Sequence, residues 1–146
     1  MAVKINLGYR DAPAALNFLL NVLGFVPIVV YEGEHQGIIA HAEVSWPEGG
    51  VVTLHSIEED NASVYDVADF AAKSAGYPPF SIHIDTDNPE EVYERVLGEG
   101  ARIVRELTTT PRDRGFIVAD PEGLFWSFAT PLPKLVRDAA GEWVPE

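Results

Sequence analysis

Residues 11–24, DAPAALNFLLNVLG, and residues 87–100, DNPEEVYERVLGEG, read as two versions of one helix. Each starts on Asp with a proline two positions later, and each ends on glycine. Asp is a good N-cap, proline suits a first turn whose N–H groups have no helical partner, and glycine suits the left-handed position after the last turn. Leu16, Leu19, Leu20 and Leu23 form an apolar stripe in the first, and Val92, Val96 and Leu97 in the second. Glu90 and Glu91 lie in a first turn, where the helix dipole favours negative charge. Asp11 and Asp87, Pro13 and Pro89, Leu16 and Val92, Leu20 and Val96, and Gly24 and Gly100 are all 76 residues apart.

The repeat extends in both directions. Pro47-Glu48-Gly49 and Pro121-Glu122-Gly123 lie 74 apart, each just before a short apolar strand. Alternating strands precede the helices, Val3, Ile5, Leu7 and Phe80, Ile82, Ile84, at an offset of 77. Small drifts in offset are what unequal loops in two copies produce. The pattern predicts a duplicated βαβββ module and an α+β fold. Strands are expected near 3–9, 26–31, 37–45 and 51–56 with a helix over 12–23, then near 79–85, 102–106, 114–119 and 124–129 with a helix over 89–98. The expected organisation is a single domain, 1–146. It holds a first module at 3–56, a linker at 57–77, a second module at 79–130 and a C-terminal tail at 131–146. In the linker Val64, Val67, Ala68 and Ala71 mark a short helix. The tail is expected to form a short helix near 134–139, and Trp143 to pack against another surface such as a second subunit.

At 146 residues, 47% hydrophobic and 23% charged, the chain is long and apolar enough to fold without a disulfide or metal. It has no cysteine, which excludes disulfide scaffolds, thiolate metal sites and cysteine nucleophiles. The net charge is −13, shared as −7 on residues 1–75 and −6 on 76–146. A surface so uniformly negative repels phosphate backbones and anionic lipid, so neither nucleic acid nor membrane is an expected partner. Cationic ligands are favoured. No span of membrane length and no basic, apolar leader stands out, so the expected location is the cytoplasm. No G-x-S-x-G elbow, phosphate loop or dinucleotide fingerprint is present.

Alternation sorts strand residues into a helix-covered face and an opposite face. Lys4 and Asn6, then Val51, Thr53 and His55, fall on the opposite face of the first module. Ser81, His83 and Asp85, then Phe125, Ser127 and Ala129, fall there in the second, while Trp126 and Phe128 read as core. Placing Ala40, Ala42 and Val44 in the core puts Ile39, His41 and Glu43 opposite. Hydroxyls, histidines and an aromatic ring on one face are the composition of a ligand pocket. The candidate ligand-binding residues are therefore Thr53, His55, Ser81, His83, Phe125, Ser127 and His41. Trp46 joins them as a residue to stack a planar ligand or staple a dimer, and Arg114 as an anion-recognising group at the mouth. The neutral alternative for Arg112, Asp113 and Arg114 is a solvated loop whose charges pair with each other, and His83 beside Asp85 reads as an acid–base pair or a satisfied histidine.

The two modules, the D-x-P helix starts, Val22-Leu23-Gly24-Phe25 and the turn Asp120-Pro121-Glu122-Gly123 running into Phe125-Trp126-Ser127-Phe128 together resemble the vicinal oxygen chelate superfamily. That group includes glyoxalases, bleomycin resistance proteins and extradiol dioxygenases. The resemblance implies a cup-shaped mixed sheet, a homodimer and, in metal-dependent members, one ligand from each of four cup-facing positions. Those positions fall on Lys4, Thr53, Ser81 and Ser127, none of which suits a transition metal. No metal and no cofactor is therefore expected, and the catalytic residues are left unassigned. The first functional expectation is a non-catalytic, metal-independent binder of a cationic, aromatic drug or metabolite, like bleomycin-type antibiotic resistance proteins. The second is a glyoxalase-like metal-dependent lyase, isomerase or thiol transferase using the displaced His41, Glu43, His55 and His83. The third is a regulatory or interaction module without small-molecule chemistry.

Overall fold

The computed structural model describes residues 3–58, 66–73, 80–131 and 133–146. Val64 and most of the predicted linker, together with Pro79 at the head of a predicted strand, lie outside the described residues. The first βαβββ unit is β1 (Ile5–Tyr9), α1 (Ala12–Asn17) continued by a π-helical turn (Phe18–Leu23), β2 (Val26–Glu32), β3 (Ile39–Ser45) and β4 (Val51–Ser56). After α2 (Val67–Lys73) the second unit repeats it: β5 (Ile82–Asp85), α3 (Pro89–Gly98), β6 (Arg102–Thr109), β7 (Arg114–Ala119) and β8 (Phe125–Ala129). The sheets have the same order, β1-β4-β3-β2 and β5-β8-β7-β6, with parallel β1–β4 and β5–β8 pairs. The duplication and the fold class are thus both present. The two sheets share no ladder among the described residues.

The helix caps refine the repeat. Asp11 accepts from the Ala14 N–H, but in the second helix Asn88, not Asp87, caps the Glu91 N–H. From N-cap to left-handed glycine the first helix, Asp11 to Gly24, is one residue longer than the second, Asn88 to Gly100. The π-helical turn absorbs that residue, as single-residue insertions into helices do. The buried stripes therefore match as Ala15 with Val92 and Leu19 with Val96, while Leu16 and Leu20 are only half-buried.

Other expectations are corrected at strand ends. Val3, Ile5 and Phe80, predicted as core, are exposed, and Leu7, Tyr9, Ile82 and Ile84 take the buried positions. In β3 the pairing skips Ala40, a β-bulge that turns Ile39 inward and Ala40 outward while leaving His41, Ala42, Glu43 and Val44 as predicted. The tail is a hairpin, β9 (Leu135–Arg137) with β10 (Trp143–Pro145), rather than a helix. Asp138 Oδ1 accepts from the Ala140 and Glu142 N–H groups and Gly141 takes φ 82°, a turn geometry that competes with helix. Trp143 is 60% exposed, with the Arg137 guanidinium 4.6 Å above its ring.

Both modules bury their helix-covered faces in one shared core. Phe25, just after the first helix, meets Trp46 and Trp126 edge-on at 5.3 and 5.8 Å, and Trp46 meets Phe128 at 5.3 Å. The duplicated Pro-Glu-Gly turns clasp this packing reciprocally. Glu48 accepts from the Thr86 hydroxyl at 2.6 Å and the Asp87 N–H at 2.9 Å, just ahead of α3. Glu122 accepts from the Arg10 and Asp11 N–H groups at 2.8 and 2.9 Å, just ahead of α1. Each module's turn thus holds the other module's helix start. Arg95 of α3 adds bonds to the Val22 and Leu23 carbonyls, and its guanidinium lies where a side chain on Gly24 would be. Asp120 accepts from the Tyr9 hydroxyl at 2.6 Å, the Trp126 indole at 3.1 Å and the Glu122 and Leu124 N–H groups.

The two kinds of carboxylate respond oppositely to pH. The Thr86 hydroxyl and the Asp87 N–H hold Glu48 below its ordinary range, so its contribution is present above about pH 4.3 and fades as pH falls through the lowered value. Burial pushes Asp120 up despite its four donors, so its contribution is greatest in acid and is lost as pH rises through the raised value. Urea unfolding should show Glu48→Gln less stable than the parent at pH 7, with the difference shrinking in acid. Asp120→Ala, which strands two buried side-chain donors, should cost about 3 kcal/mol or more at pH 7. Tyr9→Phe should cost about 1 kcal/mol, because it removes a donor without orphaning its partner completely.

Candidate functional site

On the open face of the first sheet the register lines side chains into rows. Asn6 pairs with Thr53 and Thr53 with Glu43, while His41 pairs with Tyr31. The Thr53 hydroxyl lies 2.9 Å from Asn6 Oδ1 and 3.2 Å from the Ile5 carbonyl, and His55 Nδ1 is 3.3 Å from the same Asn6 oxygen. Lys4 donates to Glu43 at 2.7 Å and holds that carboxyl below the ordinary range. His41 Nε2 is 3.8 Å from Glu43, and its ring stacks on Tyr31. Burial, then the neighbouring His41, lowers the His55 pKa and so favours its neutral form.

The second sheet presents a simpler arrangement. Parallel pairing sets His83 beside Ser127, with His83 Nδ1 3.1 Å from Ser127 Oγ. His83 Nε2 is 3.1 Å from Asp85 Oδ1, two residues along the same strand. Ser81 stands exposed on this face, and Phe125 and Ile117 are half-buried beside Ser127. A cleft of about 390 Å³ between the β1 and β5 edges reaches His83 and Asp85 and is lined by Val3, Ile5, Trp46 and Ile82.

Thr53, His55 and His41 therefore come together on one sheet, and Ser81, His83, Phe125 and Ser127 on the other. Because the helix-covered faces share the core, each open face turns away from it. Trp46, expected to stack a planar ligand or staple a dimer, is 6% exposed among Phe25 and Phe128 and reaches the lining of that cleft. It precedes the hairpin turn on the helix-covered side, where apolar packing claims it. Arg114 shares the parity of Phe116 and Val118 and so lies on the helix side. There it pairs with Glu90 of α3 and with Thr109 at 2.7 Å rather than facing the open side.

Asn6 and Tyr31 were missed as candidates. The parallel β1–β4 register that seats Asn6 against Thr53 was the available signal for the first. A bulge at Ile28 hides Tyr31, since it breaks the alternation of β2.

The four positions that would carry a metal do not fit one. Lys4 is a cation already paired with Glu43, the Thr53 hydroxyl is committed within the sheet, and Ser81 and Ser127 are neutral hydroxyls. Among the described residues no group of three or more histidines or carboxylates is arranged to hold an ion. The displaced set is also divided, with His41, Glu43 and His55 on one sheet and His83 on the other. No described helix is long and apolar enough to cross a membrane.

Comparison with known proteins agrees with this geometry. The uncharacterized protein Rv0887c of Mycobacterium tuberculosis is 27% identical over 138 residues, covering 94% of this chain and 78% of its own. The crystal structure of TioX from Micromonospora sp. ML1 superposes with a TM-score of 0.66 at 22% identity, over 90% of this chain and 99% of that one. TnmS3, an antibiotic binding protein from Streptomyces sp. CB03234, superposes at 0.58 and 18% identity, over 90% and 98%. Both structural matches speak for the fold. A family model spans residues 3–128, and the chain belongs to the Glyoxalase/Bleomycin resistance protein/Dioxygenase superfamily.

Proposed function

We propose that this protein binds a cationic, aromatic small molecule without metal and without turning it over, in a cup that a second copy of the chain completes. The observation that carries this reading is the outward placement of the two open faces. Thr53, His55 and His41 of one chain and Ser81, His83, Phe125 and Ser127 of another are then the two walls of the cup. Among the described residues β1 and β5 have no ladder on their outer sides beyond a single bridge between Gly8 and Asp66, and such edges are the positions from which two sheets join. The ligand class rests on three supports: the net charge of −13, aromatic rings on both open faces, and a fold shared with an antibiotic binding protein. The Ser81 and Ser127 hydroxyls, at two positions of the family's metal ligands, become hydrogen-bonding groups in such a pocket.

Two predictions test the parts separately. Isothermal calorimetry against a panel of planar cationic compounds should find binding that weakens as ionic strength rises. A panel of neutral and anionic analogues should bind less tightly, and no binding by any cationic member would discard the ligand class. For the composite cup, His55→Arg and Ser81→Arg should each abolish binding, since each obstructs one wall of every site. Unfolding and refolding the two variants together should restore about a quarter of the parental sites, in mixed dimers with one intact cup. A mixture with no restored sites, or a monomer by sedimentation, would contradict the shared cup.

A further inference from the structure

The two halves can be compared hydroxyl by hydroxyl. Thr53 of β4 pairs in register with Asn6 of β1, and Ser127 of β8 with His83 of β5. In the first half the partner is an amide, which cannot take a proton at neutral pH, and the strand residue two positions on is Gly8. In the second half the partner is an imidazole, and the residue two positions on is Asp85. Duplication and divergence have left an inert pair in one sheet and a hydrogen-bonded chain, Ser127–His83–Asp85, in the other, with both links at 3.1 Å. A carboxylate accepting from Nε2–H fixes the imidazole tautomer and leaves the Nδ1 lone pair facing the serine hydroxyl. The same constellation of nucleophile, base and orienting carboxylate activates a serine hydroxyl on several unrelated folds.

We propose that Ser127 is a nucleophile that accepts an acyl group from small aryl esters, with His83 as general base and Asp85 orienting it. The aryl preference follows from the surroundings. Phe125 lies two residues from Ser127 on the same face, Ile117 lies opposite it on β7, and the cleft between the β1 and β5 edges, with Val3, Ile5 and Ile82 in its lining, opens beside His83. Ser127 Oγ attacks the carbonyl carbon, and the new O–C bond forms as the hydroxyl proton passes to His83 Nδ1. The bond from that carbon to the aryl oxygen then breaks, and the phenol departs with the proton from His83. Water hydrolyses the acyl-serine by the same groups in reverse, releasing the carboxylic acid and restoring the hydroxyl. The backbone around Ser127 is committed to strand pairing with β5 and β7, so the acceleration rests on the base, a factor of about 10² to 10⁴. This activity goes beyond the binding reading and does not depend on it.

The test uses the full chain with p-nitrophenyl acetate, following nitrophenolate release and mapping acetyl groups by peptide mass spectrometry. Acetylation of Ser127 is expected, absent in Ser127→Ala, slowed about a hundredfold in His83→Gln and several-fold in Asp85→Asn. Thr53, the equivalent hydroxyl of the first module, should remain unlabelled. Matching melting temperatures across the exposed His83→Gln and Asp85→Asn variants separate loss of chemistry from loss of fold. An unmodified Ser127 peptide beside acetylated lysines would overturn the proposal, as would labelling of Ser127 at the parental rate in His83→Gln.

Discussion

Two glutamates, one from each copy of the repeat, decide how this molecule is arranged. Glu48 holds the backbone ahead of the second module's helix, and Glu122 holds the backbone ahead of the first. The clasp is reciprocal in the way a two-fold interface between identical subunits is reciprocal. It fixes which faces of the modules meet. Once the helix-covered faces are turned inward, Phe25, Trp46, Trp126 and Phe128 fill the shared core and the open faces have nowhere to point but outward. The location of every candidate binding residue follows from that orientation.

The buried Asp120 works within the same interface by a different balance. It accepts four hydrogen bonds and still titrates high, because desolvation of the charge outweighs the donors. Tyr9 of the first module and Trp126 of the second both depend on it, so it joins the modules at a point that excludes water. The first module places Trp46 at the corresponding position, 74 residues earlier, where packing takes over from hydrogen bonding. Exact symmetry is broken here and again at the π-helical turn, where one inserted residue is absorbed within the helix before the chain reaches Phe25.

Most of the fold was legible in the sequence because duplication writes each signal twice. Paired caps, paired terminal glycines and paired Pro-Glu-Gly turns made the two modules readable without knowledge of their packing. What the Pro-Glu-Gly turns do was not legible, since a turn glutamate looks the same whether it faces water or clasps a neighbouring helix. Strand alternation placed Thr53, His55, Ser81, His83, Phe125 and Ser127 on open faces, yet it could not say that these faces belong to two separate surfaces. Trp46 shares the parity of the core residues Ala42 and Val44 and follows them inward, and Arg114, read as a loop residue, begins a strand and shares the parity of Phe116 and Val118. The bulges at Ile28 and Ala40 hid Tyr31 and exchanged Ile39 with Ala40, and the Asx turn at Asp138 made a hairpin of a tail whose composition suited a helix.

Retention of the superfamily fold beside replacement of its metal-ligand positions leaves two surfaces with different chemistry. One is a network of Lys4, Glu43, His41 and Asn6 that holds its own charges. The other is a short chain of serine, histidine and aspartate. In the proposed dimer these surfaces meet only across two chains. Because the chain lacks cysteine, His55→Cys and Ser81→Cys introduce single attachment points for spin labels. Dipolar spectroscopy on mixed singly labelled chains, compared with doubly labelled chains diluted in unlabelled protein, measures the separation directly. A cup shared by two chains predicts a shorter distance between chains than within one. A short distance within a single chain, unchanged by dilution, would contradict it.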